Sequence, residues 1–195
     1  VLNGTQYLTI DSLTVIASAG DWGFGMLFTN QADWNVVRNC SIISNTNSTS
    51  TFYAGIAFSN STSSATSTGP NGNNNLIENN VIIGGYYGIT NLGQSSAARA
   101  QGNKIINNVI RDFYLYGIYG LNQDDWEIFG NDISRPTRST VSTFYGIYLG
   151  TSGSGVKVFN NRIHNAHGDN PYSMSFTSYP IFFSAAAGTD TNPNV

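Results

Sequence analysis

Apolar positions along this chain fall into two motifs that recur together. A hexad that opens and closes on Ile or Val appears six times, as IDSLTV (10–15), VRNCSI (37–42), IENNVI (77–82), IINNVI (105–110), IFGNDI (128–133) and VFNNRI (158–163). Each is followed by a Gly flanked by an aromatic or small residue and an aliphatic one: FGM (24–26), AGI (54–56), and YGI at 87–89, 116–118 and 145–147, with a degenerate YPI at 179–181. The pattern predicts three short strands per unit. One ends at the first hexad residue, one lies at its last residues, and one lies at the Gly-aliphatic pair.

Hexad starts are separated by 27, 40, 28, 23 and 30 residues, so the insertions fall in loops, among them 59–73, 134–143 and 165–178. These stretches are rich in Ser, Thr, Asn, Gly or Pro and read as surface excursions. A unit of this size cannot bury its apolar side alone; stacking the units yields a parallel β-solenoid.

The N-N-x-I elements at Asn79 to Ile82, Asn107 to Ile110 and Asn160 to Ile163, with the G-I pairs, resemble the repeat signature of the right-handed parallel β-helix family, the pectate-lyase-like solenoids, which extend to secreted bacterial surface proteins. The resemblance spans essentially the whole length. It implies an all-β, right-handed parallel β-helix of about six coils, with residues 1–195 as one domain. The family includes polysaccharide lyases and glycoside hydrolases, but a fold by itself implies neither activity.

The alignment can be checked from within. At the fourth hexad position Asn80, Asn108, Asn131 and Asn161 would lie above one another, where Asn suits a left-handed bend and its amide can form a ladder. Leu13 and Cys40 take that place in coils 1 and 2, which makes Cys40 a buried structural residue. Charges should alternate in sign between lateral neighbours. The residue before the hexad reads Lys104, Glu127, Lys157 in coils 4 to 6, the second position reads Asp11, Arg38, Glu78 in coils 1 to 3, and the fifth sets Asp132 beside Arg162. An outward ion ladder is the simpler account of these residues than catalysis.

Composition narrows the class further. Asn, Ser, Thr and Gly supply 86 of the 195 residues, while Glu and Lys appear twice each, which disfavours helices. Eleven Tyr, eleven Phe and three Trp provide a core and argue against disorder. Eight basic against eleven acidic residues, without a basic cluster, disfavour nucleic-acid binding. No apolar run approaches the ~20 residues of a membrane span, so no membrane insertion is expected.

The chemistry-bearing residues are few. A glycoside hydrolase needs two carboxylates about 5 to 10 Å apart; the candidates are Asp124, Asp125 and Asp132 with His164, and no family catalytic motif surrounds them. A lyase needs acidic calcium ligands beside a basic residue, and Asp124-Asp125 is the only acidic pair, equally a solvated turn. No cofactor is therefore indicated. His164 and His167 stand three apart in a loop and are not read as a metal pair.

Arg111, Asp112, Arg135, Arg138, His164, His167 and Asp169 all follow the hexad in coils 4 to 6 and would stack into one polar patch. Beside it, the residue after each Gly-aliphatic pair should point outward, which sets Tyr119, Tyr148 and Phe182 in a column suited to gripping a sugar, or merely to stacking coil on coil.

Three readings stay open: a non-catalytic secreted or cell-surface module that binds glycan or acts as an adhesin, a partial or degenerate polysaccharide-degrading enzyme, and a purely structural filament or secretion-cargo segment. The first places the protein outside the cell or on a bacterial surface, with a polysaccharide or glycan as partner. The start, in mid-coil, and the end, TDTNPNV, which resembles the approach to another hexad, give the expectation of an internal segment whose other partners are neighbouring domains of a longer chain.

Overall fold

The computed structural model describes residues 1–168, 176–185, 188–189 and 191–195. The chain winds as a right-handed parallel β-helix, all-β, with no helix among the described residues. Two six-stranded sheets are built from the hexads. One stacks Thr9–Asp11, Val36–Arg38, Leu76–Glu78, Lys104–Ile106, Glu127–Phe129 and Lys157–Phe159; the other stacks Thr14–Ala17, Ser41–Ser44, Val81–Ile83, Val109–Arg111, Asp132–Ser134 and Arg162–His164. A seven-stranded sheet carries the Gly-aliphatic pairs and runs through Leu2–Asn3, Gly23–Thr29, Tyr53–Phe58, Tyr87–Leu92, Tyr116–Leu121, Phe144–Gly150 and Ser178–Ser184. A small two-stranded sheet, Ala100–Gln101 with Gln123–Asp124, lies at the corner leading into the first hexad sheet.

Hexads align position for position, as Ile105↔Ile128 and Ile110↔Ile133 show, and YGI aligns with YGI as Ile118↔Ile147. The first hexad strand runs one residue further than expected, ending on the second hexad position. β-branched residues suit these short pleated stretches, and their inward members make three columns. Val37, Ile77, Ile105 and Ile128 form one, Ile42, Ile82, Ile110 and Ile133 the second, and Ile56, Ile89, Ile118 and Ile147 the third, each at most 1% exposed. Burying one such side chain contributes about 1.5–3 kcal/mol.

The Gly of YGI is set by space. A Cβ on Gly117 would stand 2.6 Å from Ile133 Cγ2 and 2.6 Å from the carbonyl oxygen of Gly146, and Gly25, Gly55, Gly88 and Gly146 meet the same pair of obstacles.

The asparagine ladder is present, with its two roles on adjacent residues rather than one. The left-handed residue is the third hexad position, where Asn39, Asn79, Asn107, Gly130 and Asn160 have φ of 55°, 55°, 54°, 68° and 53°. The fourth position turns inward, and each amide bonds the next: Asn80 Nδ2 to Asn108 Oδ1 at 3.0 Å, Asn108 to Asn131 at 3.0 Å, and Asn131 to Asn161 at 2.9 Å. Cys40 caps this ladder, buried, its N–H donating to Asn80 Oδ1 and its thiol to the Arg38 carbonyl. A second ladder, unread from the repeat, links Asn35, Asn75 and Asn103 two residues before the hexad. Asn194 holds the same place over coil 6, where its Oδ1 accepts the Val156 N–H at 2.9 Å.

Ion ladders form along the outside. Glu127 lies between Lys104 (2.9 Å) and Lys157 (3.4 Å), Asp11 pairs with Arg38 (2.7 Å), and Asp132 with Arg162 (2.9 Å). Glu78 is in register with Arg38 but makes no ion pair among the described residues. Hydrogen bonds from Asn39, Ser12 and Arg38 hold the Asp11 carboxyl down at about 2.

Candidate functional site

The aromatic column is present and is doubled. Strict alternation from the inward Ile118 would turn Tyr116 inward, but Gly117 also faces the core, against Ile133, and the pairing register has no partner at the glycine. Alternation therefore breaks there, and Tyr116 and Tyr119, three residues apart, share the outer face. Tyr119, Tyr148 and Phe182 stack at 5.0 and 5.1 Å between centroids, with planes within 17°. Beside them Tyr87, Tyr116, Tyr145 and Tyr179 stack at 5.5, 4.9 and 5.0 Å. Across columns the rings meet edge to face, as Tyr145 with Tyr148 at 5.6 Å and 83°. The repeated Tyr before Gly was visible in the sequence, but its outward direction was not, because the break in alternation comes from the crowding around Gly117.

This packing decides which part of each ring a ligand can meet. Ring faces cover one another along the solenoid axis, so the half-buried Tyr119 and Tyr148 offer ring edges rather than faces, and Tyr148 leans along its strand with its hydroxyl over Gly150. Burial, together with the neighbouring phenols, raises the phenol pKa of Tyr87 and Tyr116 strongly, and those of Tyr86, Tyr119 and Tyr145 move the same way, burial again being the main cause.

The polar patch beside the columns is partly corrected. Arg135 and Arg138 are 0% and 3% exposed and cannot grip a ligand as surface side chains. Arg135 donates to the carbonyls of Tyr114 (2.6 Å), Ser142 (2.9 Å) and Ala166 (2.8 Å) and lies 4.9 Å over the Phe144 ring. Arg138 donates to the carbonyls of Thr140 (2.8 Å), Asp112 (2.9 Å) and Ser48 (2.7 Å) and lies over Tyr114 at 5.1 Å. Both are staples that satisfy loop carbonyls, and burial pulls each guanidinium down to about 10. Asp112 is also buried, its carboxylate accepting from the N–H and hydroxyl of Thr137.

Arg111 remains exposed and helps line a cavity of about 240 Å³ with Thr46, Asn47, Asp112, Arg138 and Ser139. Tyr114 and Tyr86 connect this cavity to the tyrosine columns: Tyr86 lies 5.4 Å from Tyr114 and 4.8 Å from Tyr87.

Of the catalytic candidates, Asp132 and His164 come together, His164 Nε2 2.8 Å from Asp132 Oδ1, with Arg162 on the other oxygen. Burial opposes ionisation of Asp132, yet these hydrogen bonds outweigh it and hold the carboxyl below its ordinary value. Asp124 and Asp125 lie at a different corner: Asp124 accepts the Ser154 N–H at 3.0 Å, and Asp125 accepts the Asn192 amide at 3.0 Å. They brace the corners of the two turns that follow and share no partner with Asp132. His167 is exposed and apart from His164's partners, Asp169 lies outside the described residues, and no group of metal-ligating side chains forms among the described residues.

These features define a right-handed parallel β-helix with a phenol-edged outer face on coils 3 to 6 and a cavity beside it. Comparison of the chain with protein-family models, with curated proteins and with solved structures yields no match.

Proposed function

We propose that this chain is a non-catalytic β-helix module, secreted or displayed at a cell surface, that binds a glycan across the tyrosine face of coils 4 to 6. The observation that carries the reading is the regular row of half-exposed phenol edges at coil spacing, with Tyr86 and Tyr114 between it and the Arg111 cavity. Hydroxyl rows of this kind exchange hydrogen bonds with sugar hydroxyls, and the apolar ring edges take up their CH surfaces. Asp132 and His164 weigh against catalysis, because each is engaged in cross-strand contacts that join coils 5 and 6.

A second reading has a specific observation in its favour. Each ring face is filled by the next ring, which suits a column that serves only to hold coils together.

A glycan array separates the two when wild type is run beside Tyr119→Phe/Tyr148→Phe, which keeps the stack and removes two hydroxyls, and Tyr119→Ala/Tyr148→Ala, which removes the rings. The binding reading expects wild-type signal, loss of at least about tenfold in the Phe pair, and an unchanged melting temperature in that pair. Wild-type silence across the array, or full binding by the Ala pair, leaves the structural reading. New reducing ends or unsaturated products from uronate polymers would overturn the non-catalytic assignment.

A further inference from the structure

A different corner carries a feature that folding does not explain. Three residues before each hexad the backbone enters the left-handed region: φ is 55° at Asn74, 66° at Gly102, 50° at Asp125 and 73° at Gly155, residue types that tolerate it. In coils 1 and 2 the same position holds Tyr7 at 57° and Trp34 at 60°. Bulky aromatics are disfavoured in this conformation. Burial gives no compensation, because Tyr7 is 75% and Trp34 50% exposed. Their rings are parallel within 7°, with centroids 6.3 Å apart.

A cavity of about 260 Å³ opens beside the Trp34 backbone, formed where three successive connections run side by side, with Gln31, Asp33, Asn71, Asn73, Gln94 and Arg99 in its wall and neither ring among its lining residues. The rings and the cavity share backbone: Asp33 precedes Trp34, the Trp34 N–H donates to the Asn73 carbonyl at 3.0 Å, and the Tyr7 N–H to the Asp33 carbonyl at 3.3 Å. Asp33 spends Oδ1 on the Asn73 N–H and makes no ion pair among the described residues. Asn71, 1% exposed, donates its amide to the Leu92 carbonyl at 2.6 Å while its Oδ1 has no donor among the described residues.

From this juxtaposition we infer that the corner of coils 1 to 4 is a second binding site, for a single neutral saccharide unit. One carboxylate and one guanidinium balance in charge, and planar amide, carboxylate and guanidinium groups are suited to pairs of adjacent sugar hydroxyls. The exposed aromatic pair meets the apolar side of the sugar ring. The volume lies below the roughly 300–1,000 Å³ of sites for larger ligands, which suits one ring. The site lies on another corner of the solenoid from the tyrosine face and stands or falls separately from it.

The test is titration of the full chain with four neutral probes, the methyl glycosides of glucose, galactose, mannose and N-acetylglucosamine, followed by saturation-transfer NMR and tryptophan fluorescence. Trp34→Asn is the informative variant, because Asn fills this position in coil 3 without strain. At least one probe should bind in the millimolar range. Trp34→Asn should weaken it at least about tenfold while the melting temperature stays level or rises, and Tyr119→Phe/Tyr148→Phe should leave it unchanged. Arg99→Gln, on the opposite wall, should also weaken it. Failure of all four probes to bind wild type, or wild-type affinity in either Trp34→Asn or Arg99→Gln, overturns the inference.

Discussion

Asn108 shows what one residue does inside a solenoid. Its amide donates to the Ile77 carbonyl and to Asn131, and its Oδ1 accepts both the N–H and the amide of Asn80, all within 3.0 Å and out of reach of water. Asn108→Ala strands those partners, and since each buried group left unpaired costs about 1–3 kcal/mol, the loss should be about 3–5 kcal/mol. Asn161→Ala, at the half-buried end of the ladder, exposes its partners to water and should lose about 1 kcal/mol. Urea unfolding of the two variants measures the contrast, and equal losses would remove the interior ladder as a stabilising element. The ladder was legible because Asn recurs at a fixed hexad position. Arg135 and Arg138 were not, because nothing in the local pattern of a Ser/Thr-rich loop says that the loop folds back and presents its carbonyls to a guanidinium.

At the scale of elements, the strands and their register could be read from Ile and Val spacing, whereas the doubled tyrosine column depended on a break in alternation that only the crowding around Gly117 reveals. That crowding has a consequence for titration. Burial raises the phenol pKa values of Tyr86, Tyr87, Tyr116, Tyr119 and Tyr145 above the unfolded value of about 10. A raised pKa contributes stability that is fully present below the unfolded value and lost as pH rises through the folded one. Alkaline titration should therefore show the phenols of Tyr86, Tyr87, Tyr116, Tyr119 and Tyr145 ionising above the ordinary phenol range, together with loss of β-sheet circular dichroism. Full phenolate absorbance with the sheet signal intact would mean that these rings are not packed against each other as the structure has them.

The whole molecule is a row of coils in which each contacts chiefly its neighbours, so stability is a sum of coil and interface contributions rather than one shared core. Coil order and spacing followed from the sequence; the ties between distant coils did not, since they run through loops. Ile10 and Val15 at one end, and Val158 and Ile163 at the other, are only half-buried against the core, and Leu13, Ile181 and Phe183 are 52%, 44% and 47% exposed. Native-state amide exchange should accordingly be slowest in Leu76–Glu78, Val81–Ile83, Lys104–Ile106 and Val109–Arg111, and faster in Thr9–Asp11, Thr14–Ala17, Lys157–Phe159 and Arg162–His164. The gradient should be asymmetric, because Arg138 reaches from the loop of coil 5 to the Ser48 carbonyl of coil 2 and ties that coil to the centre, while coil 1 has no such tie among the described residues. In Arg138→Ala the Ser41–Ser44 amides should then exchange nearly as fast as those of Thr14–Ala17. Uniform protection across all six coils would instead show a single cooperative unit, in which nearest-neighbour packing does not set local stability.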